Sequence, residues 1–310
     1  MLHKMNKLIV SSSPHIRGIK TTRSIMGDVL IALIPCVMAG TVYFGFRALL
    51  IVAVTTATAV LTEYLSRIIM KRTQTAFDLS AAVTGVILGL ILPPGCGILF
   101  AVFGAVAAIA VVKQMFGGIG QNFANPACTA RIILLISFSG MSVWTNTSFM
   151  TDAVTSATPL AAGSGAYHYF DLFIGNTGGC IGETSVVAIL VGFIYLLVRK
   201  VISPIIPLAF IGGAAVMSLF CGQDMLFELM SGGLLFGAVF MATDYSTSPI
   251  SKAGKIVFGI GCGVITMLIR VFGTLPEGVS FAILIMNIIA PQLDSLFVPK
   301  PFGTERRLAK

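Results

Sequence analysis

The segment 227–242 reads FELMSGGLLFGAVFMA, an apolar run interrupted by glycine at positions 232, 233 and 237. It is shorter than the roughly 20 residues that a helix needs to cross the hydrocarbon core of a bilayer. A second short run, LSAAVTGVILGLIL, stands at 79–92, so that each is the third apolar run of its half. Short or glycine-interrupted runs at matching places in two halves are typical of broken membrane helices around a central site.

The rest of the chain has the composition of a membrane protein. Hydrophobic residues make up 56% of it and charged residues only 10%, with a mean hydropathy of +0.96. A soluble domain with so few charges could not cover its surface, whereas lipid solvates apolar side chains. We therefore expect an all-α integral membrane protein of about ten transmembrane helices. The remaining apolar runs fall at 25–46, 49–69, 97–116, 129–143, 184–198, 203–221, 256–272 and 278–297.

The positive charges indicate an orientation and do not indicate a nucleic-acid partner, because Lys and Arg cluster at the ends of apolar runs. If the N-terminus is cytoplasmic, all of the 20 Lys and Arg except Arg47 and Arg270 fall on the cytoplasmic side. Such an asymmetry is the usual signature of membrane topology. It predicts that both termini are cytoplasmic and that the long segment 144–183 lies outside.

This topology predicts the organisation of the chain. Five spans in each half start the second half on the opposite side of the membrane, so an internal repeat must be inverted. The run 25–46 lacks a cleavage site, and we interpret it as a retained span and not as a signal peptide. The predicted parts are an N-terminal cytoplasmic segment 1–24, a first five-helix repeat 25–143, an extracytoplasmic loop 144–183, a second five-helix repeat 184–297 and a cytoplasmic tail 298–310.

Cysteine and histidine give no sign of a metal site. The six cysteines are scattered without a CxxC pair, and the three histidines are far apart. Most of the cysteines lie in or beside apolar runs, where a free thiol acts as a small hydrophobic side chain. We expect neither a metal site nor a disulfide framework. No set of residues for nucleophilic or acid–base catalysis stands out, so no catalytic residue is predicted.

The loop sequence DAVTSAT, residues 152–158, offers a different kind of site. A threonine hydroxyl in such a segment can be esterified by the phosphate of a flavin nucleotide. Pro159 favours an extended backbone at Thr158, which would present that hydroxyl to a modifying enzyme. Serine and threonine are also common in exposed loops for ordinary reasons, and spacing alone leaves both interpretations open.

Several polar residues near the ends of apolar runs have two interpretations each. Glu183 either complements a helix dipole beside a Ser/Thr cap or lies on an ion or flavin path. Asn125 and Asp244 either cap the following segments or line a central cavity on such a path. We expect Arg131 to extend toward the interface and not to neutralise a buried acid. Asp78 is expected to cap the third run.

Longer motifs give a family resemblance that covers nearly the whole chain. They are SSSPHIRG (11–18), FDLSAAVTGVILGLILPP (77–94), QNFANPACTAR (121–131), GNTGGCIGETS (175–185) and FMATDYSTSP (240–249). These segments resemble the D-type subunits of Rnf electron-transport complexes, a family that includes the B-type subunits of sodium-pumping NADH:quinone oxidoreductases. The short region before the first span favours the D type. The resemblance implies a fold similar to urea transporters, with two inverted five-helix repeats.

The same resemblance assigns a role to the loop at 152–158. The family carries covalent FMN on the last threonine of a D-x-x-[S/T]-G-A-T motif. This chain matches the motif at Asp152, Thr155, Ala157 and Thr158 and has Ser156 where the family usually has glycine. The resemblance therefore implies that FMN is attached to Thr158, with the other four residues forming the recognition motif.

The resemblance also implies a function. It is that of a membrane subunit of a ferredoxin:NAD⁺ oxidoreductase that moves Na⁺ or H⁺ across the bacterial cytoplasmic (inner) membrane. The implied partners are iron–sulfur and flavin subunits, a flavin transferase and membrane lipid. A second, noncovalent flavin (riboflavin) is a further expectation. The main alternative is a channel or facilitator of the urea-transporter type without a redox role, and a third possibility is a scaffold for other subunits.

Overall fold

The computed structural model describes residues 21–138, 159–162, 168–273 and 277–298. These residues form helices, turns and loops and contain no strand. The helices in chain order are α1 (Thr22–Phe44), α2 (Phe46–Ile69), α3 (Ser80–Leu90), α4 (Ile98–Val106), α5 (Pro126–Ser137), α6 (Pro159–Ala162), α7 (Tyr169–Ile174), α8 (Val186–Val198), α9 (Ile205–Phe220), α10 (Met225–Met230), α11 (Leu234–Phe236), α12 (Lys252–Phe272) and α13 (Val279–Leu296). A 3₁₀ turn at Ala76–Asp78 precedes α3, and π-helical segments extend α4 (Ala107–Gln114) and α11 (Gly237–Met241).

Four of the helices, α1, α2, α12 and α13, are long and apolar enough to cross a membrane. The helices α3, α5, α8 and α9, and α4 with its π-helical extension, are also apolar but shorter. Every apolar run predicted from the sequence overlaps one of these helices or α10–α11. The prediction of an all-helical membrane protein is thus confirmed in this coarse form for the described residues.

Both short runs form short helices. Helix α3 has 11 residues, which span about 16 Å at 1.5 Å per residue, roughly half the hydrocarbon core. The run 227–242 is divided into α10 and α11 by a non-helical turn at 231–233. Gly232 adopts a φ of +63° there, in the left-handed region that suits glycine. The interruption predicted from the glycines of this run is therefore present.

Other parts of the chain satisfy backbone groups at the ends of the short helices. The carbonyl of Leu90, the last residue of α3, accepts a hydrogen bond from the amide of Gly182 at 2.8 Å. The carbonyl of Met241, at the end of the π segment after α11, accepts one from Asn125 Nδ2 at 3.0 Å. The last carbonyls of a helix have no partner within it, so these bonds fix where the short helices end.

Small residues allow two helices of the second half, α9 and α12, to pack closely. Helix α9 packs closely along α12, and a Cβ atom on Gly263 would lie 2.4 Å from the Phe210 carbonyl oxygen. Such close backbone approach is the usual way in which membrane helices associate, because lipid offers no hydrophobic driving force between them.

Candidate functional site

The predicted flavin-attachment motif, comprising Asp152, Thr155, Ser156, Ala157 and Thr158, lies outside the described residues. Pro159, which follows it, starts α6 and is buried. Pro159 lines a cavity with about 390 Å³ of empty space including its opening to solvent, which we call the outer cavity. Other residues that line it are Thr177, Cys180, Glu183, Thr184 and Glu277.

Charged side chains from distant parts of the chain meet beside the outer cavity. One ligand-type atom each from Cys180, Glu183 and Glu277 lies within 4.8 Å of the others. An Arg131 guanidinium nitrogen lies 2.9 Å from Glu277 Oε2, and the Cys180 thiol donates a 3.4 Å hydrogen bond to Glu277 Oε1. The outer cluster, as we define it, consists of Arg131, Cys180, Glu183, Glu228, Arg270 and Glu277.

Arg270 connects this cluster to the break between α10 and α11. One of its nitrogens donates to the Glu228 carboxylate at 2.9 Å and to the Glu228 carbonyl at 2.6 Å. The other nitrogen donates to the Ser231 carbonyl at 3.1 Å. The guanidinium therefore satisfies the backbone at the break and neutralises one carboxylate at the same time.

Glu183 lies against the same break. A Cβ atom on Gly233 would lie 2.4 Å from Glu183 Oε1, so the carboxylate occupies space that only glycine leaves open. Burial, followed by repulsion from Glu277, raises the pKa of Glu183 to about 8. The helix cap is Ser185, whose hydroxyl accepts a 3.3 Å hydrogen bond from the Ala188 amide. Ser185 thus performs the capping role, and Glu183 faces the cluster.

The prediction for Arg131 is wrong. Its side chain is 2% exposed and pairs with Glu277, so it does not extend to the interface. Glu277 is 146 positions away in sequence and reaches Arg131 from the turn between α12 and α13. Arg131 was counted among the cytoplasmic charges although it lies beside the outer cavity, and Lys113 and Arg67, counted with it, are also buried. Their side chains therefore bear less on orientation than the topology argument assumes.

A second cavity lies between α1, α3, the end of α8 and the segments around residues 122 and 244. It has about 760 Å³ of empty space including its open mouth, and we call it the inner cavity. Asn122 Oδ1 is shielded from solvent and has no hydrogen-bond partner in the described part of the chain. The polar residues that line the cavity include Ser80, Lys113, Asn122, Asn125, Asp244 and Ser246.

Asn125 fits both of its interpretations. Its Oδ1 caps α5 by accepting hydrogen bonds from the amides of Ala127 and Cys128, at 3.0 and 3.3 Å. Its Nδ2 donates the hydrogen bond to the Met241 carbonyl described above, and the residue lines the inner cavity. One side chain thus joins the start of α5 to the end of the π segment after α11.

Asp244 lines the inner cavity without capping a helix. Its carboxylate accepts hydrogen bonds from the hydroxyls of Ser246 at 3.0 Å and Thr247 at 3.3 Å. The cap of α12 is Ser251, which accepts from the Gly254 amide at 3.0 Å. Asp78 does not occupy the cap position of α3, which is Leu79, but its carboxylate accepts a 3.2 Å hydrogen bond from the Ser80 amide in the first turn.

A buried polar network, which the sequence analysis missed, lies between α2 and the π segment after α4. Glu63 Oε2 pairs with Lys113 Nζ at 2.9 Å, while Glu63 Oε1 accepts from Gln114 and Thr75, both at 2.9 Å. Lys113 also donates to the Ser80 hydroxyl at 2.6 Å. Glu63, Thr75, Ser80, Lys113 and Gln114 form what we call the inner network.

The sequence contained a signal for Glu63. It is the lone acidic residue within the apolar run 49–69, and ionisable residues inside membrane segments are usually paired and functional. Cys180 and Glu277 gave no such signal, because each is an ordinary loop residue until the fold brings them together. Cys180 is close to Glu183 in sequence, but Glu277 meets Cys180 only through a contact across 97 positions.

Comparison with known proteins identifies relatives along almost the whole chain. Residues 9–303 match a family model described as the NQR2, RnfD, RnfE family. The chain is 45% identical over 306 residues, 96% of each chain, to the D-type subunit of the Na⁺-translocating ferredoxin:NAD⁺ oxidoreductase complex of Acetobacterium woodii. It is 38% identical, over 98% of each chain, to the D-type subunit of the proton-translocating ferredoxin:NAD⁺ oxidoreductase complex of Clostridium ljungdahlii. Identity to the D-type subunit of the ion-translocating oxidoreductase complex of Stutzerimonas stutzeri is 35%, over 91% of this chain and 92% of the relative.

Proposed function

The chain belongs to the NQR2, RnfD, RnfE family, and on that premise we propose that it is the D-type subunit of an ion-translocating ferredoxin:NAD⁺ oxidoreductase complex. The observation that carries the proposal is the 45% identity to such a subunit across 96% of both chains. One relative is named for Na⁺ translocation and another for proton translocation. The coupling ion of this chain is therefore left as Na⁺ or H⁺.

We also propose the finer architecture: about ten spans in two inverted five-helix repeats, with both termini on the cytoplasmic side of the bacterial inner membrane. Apolar helices overlap all the predicted runs, and the third run of each half forms a short helix or a broken pair. Under this topology the outer cavity and Thr158 face outside, and the inner cavity opens toward the cytoplasm. A cysteine placed at Ser148 should react with a membrane-impermeant maleimide added outside, and reaction from the cytoplasmic side alone would contradict the topology.

The proposed cofactor is FMN esterified to Thr158 by a flavin transferase. The match at Asp152, Thr155, Ala157 and Thr158 supports it, as does the position of Pro159 on the outer cavity. An attached flavin would supply electron transfer, and this chain would position it. The complex would then need partner subunits with iron–sulfur or flavin centres to deliver the electrons from the cytoplasm.

Mass spectrometry tests this attachment directly. The chain purified from a host that contains the flavin transferase should carry one added FMN mass, and in-gel flavin fluorescence should follow it. Thr158→Ala should abolish both signals, whereas Thr147→Ala, which removes a hydroxyl from the same loop outside the motif, should retain them. An unmodified wild-type chain under these conditions would refute the covalent flavin.

The proposed second flavin is a noncovalent riboflavin, and the side chains that line the inner cavity support this proposal. The cavity has apolar walls, including Val83 and Phe240, and amide groups from Asn122 and Asn125. Asn122 Oδ1 is unpartnered there among the described residues, so it can accept a hydrogen bond from a ring N–H. The flat ring of a flavin would occupy the apolar part and its polar edge would meet the amides.

Denaturation of the Thr158→Ala protein should therefore release free riboflavin. Val83→Trp, which fills the cavity from α3, should lower that amount. Val187→Trp, at an exposed position of α8, is the matched control and should not. Equal riboflavin content in both tryptophan variants would place the second flavin elsewhere.

The channel or facilitator of the urea-transporter type is the second candidate, and the broken-helix scaffold alone favours it. That function needs no residue at 152–158. It predicts no flavin fluorescence from the wild-type chain and no effect of Thr158→Ala on activity of the complex. A scaffold-only subunit makes the same prediction for Thr158→Ala and also predicts no solute movement through the isolated chain.

A further inference from the structure

The outer cluster contains one more carboxylate than it has guanidinium groups. Arg131 pairs with Glu277 and Arg270 pairs with Glu228, each at 2.9 Å. Glu183 is buried and forms no ion pair within the described ranges. The Cys180 thiol stays neutral, because burial raises its pKa well above the usual value. If all three glutamates were ionised, the cluster would hold one uncompensated negative charge.

The undescribed segments that lie between described ones supply no compensating positive charge. The segments 139–158, 163–167 and 274–276 contain neither Lys nor Arg, and their one charged residue is Asp152, itself an acid. A proposed phosphate ester at Thr158 would add further negative charge. A buried carboxylate without compensation is costly and takes up a cation or a proton in preference.

A second observation also points to a bound species. Thr184 Oγ1 has no hydrogen-bond partner in the described structure, and the residue is 7% exposed. Thr184 lines the outer cavity together with Cys180, Glu183 and Glu277. An unsatisfied hydroxyl beside an excess carboxylate can donate to the ionised form or accept from the protonated form.

We propose that the outer cluster is a proton-binding site, in which Glu183 and Glu277 together hold one exchangeable proton. A proton suits the site better than Na⁺. One of the three convergent groups is a thiol, which is a poor ligand for a hard cation, and two guanidinium groups face the same carboxylates. A proton needs no coordination shell and removes the excess charge fully.

The groups that face Glu183 are consistent with this assignment. They are Glu277 from the α12–α13 turn, Arg131 from α5, Cys180 from its own segment and Arg270 from α12. Cys128 of α5 lies within electrostatic range and is buried. The Glu277 side chain is partly exposed whereas Glu183 is buried, so Glu277 gives the proton a route to solvent. The existence of the site does not depend on the proposed function. Its role does, and that role would be uptake and release of a proton outside the membrane.

Infrared spectroscopy of the purified complex tests the site. At neutral pH the wild-type complex should show the carbonyl stretch of a protonated carboxylic acid, identified by its shift in D₂O. Glu183→Gln should remove that band, and Asp171→Asn, which removes a carboxyl on α7 outside the cluster, should retain it. Replacing K⁺ by Na⁺ at constant pH should leave the band unchanged. If Glu183→Gln gives no folded complex, Glu277→Gln is the alternative test. It leaves Arg131 without its partner, so that Arg131 can compensate ionised Glu183, and the band should also disappear.

Two results would overturn the proposal. One is a band that survives in the folded glutamine variant, which would place the proton on another residue. The other is loss of the wild-type band on addition of Na⁺, which would make the cluster a sodium site. Neither result depends on flavin attachment. If FMN is absent from Thr158, the carboxyl band should still be present. If the carboxyl band is absent, the added FMN mass should still be found.

Discussion

The inner network and the outer cluster both bury ionisable groups, but they differ in charge balance. In the inner network one carboxylate, Glu63, meets one ammonium group, Lys113, and both oxygens of the carboxylate accept hydrogen bonds. In the outer cluster three carboxylates meet two guanidinium groups. A balanced and saturated pair has no need of a further ion, whereas the unbalanced cluster must gain one. The comparison separates a structural polar site from a site that exchanges a proton.

The largest effect should come from breaking the balanced pair. Lys113→Met leaves Glu63, which is 0% exposed, as an unpaired buried carboxylate. We expect a loss of about 3–5 kcal/mol in stability, the usual cost of removing one partner of a buried ion pair. The measurement is the thermal midpoint and the yield of folded chain after purification in detergent.

The double variant Glu63→Gln/Lys113→Met is the control for that experiment. It removes both charges, and replacing a buried pair as a whole is often close to neutral. Recovery of most of the lost stability would show that the penalty came from the unpaired carboxylate. A double variant as unstable as Lys113→Met would instead indicate that packing around Lys113 is what matters.

The next largest effect concerns the space beside Glu183. Gly233→Ala would place a Cβ atom 2.4 Å from Glu183 Oε1, and such overpacking typically costs about 1–3 kcal/mol. Because the clash involves one side chain, Glu183→Ala should largely rescue Gly233→Ala. Gly212→Ala, at a helical glycine with no atom within 4 Å of the new Cβ, is the matched control. Additive losses in the Gly233/Glu183 pair would contradict the contact.

The excess carboxylate also predicts a dependence of stability on pH. The ordinary pKa of Glu183 is 4.5, and burial with repulsion from Glu277 raises it to about 8. The folded state therefore holds a proton that the unfolded state has lost, and the contribution to stability falls as pH rises from 4.5 through 8. The wild-type Tm should decline over this window more steeply than that of Glu183→Gln, which cannot titrate. Parallel Tm profiles would show that Glu183 is already ionised.

Glu228→Gln tests the charge count without touching Glu183. This substitution leaves two carboxylates with two guanidinium groups, because Arg270, no longer paired with Glu228, becomes available to Glu183. We expect the proton to leave at neutral pH, so that the infrared band of the protonated carboxyl disappears while Glu183 is intact. A band that persists would mean that Arg270 compensates only Glu228 and does not neutralise Glu183 when Glu228 is removed.

Features of the fold and of the candidate site could be predicted from sequence where they depend on residues close together in the chain, and not where they depend on distant ones. The helices and their breaks follow from local composition, and Gly232 and Gly233 marked the break between α10 and α11. Capping was one of the two interpretations of Asn125, because capping acts within three residues and can be predicted locally. The partner of Arg131 could not be predicted, since Glu277 lies 146 positions away in a turn with no distinguishing pattern. Charge balance in a buried cluster is a property of the fold and not of any segment.

The smallest effect should come from an exposed pair near the outer cluster. The Tyr169 hydroxyl of α7 donates a hydrogen bond to the Asp224 carboxylate, which also caps α10. That hydrogen bond lowers the pKa of Asp224 below its usual value of 3.8, so its contribution is present at neutral pH and is lost as pH falls through the lowered pKa. Exposed pairs contribute little to stability, because water competes for both groups.

Tyr169→Phe should therefore leave the Tm unchanged and raise hydrogen exchange only in 169–174, the segment of α7. Tyr43→Phe, which removes another exposed phenol hydroxyl that bonds the Ile174 carbonyl, tests whether any lost tether of α7 has the same local result. A fall in Tm comparable with that of Gly233→Ala would mean that α7 supports the outer cluster. In that case the cluster would depend on an exposed contact, and burial alone would not explain why its charges stay together.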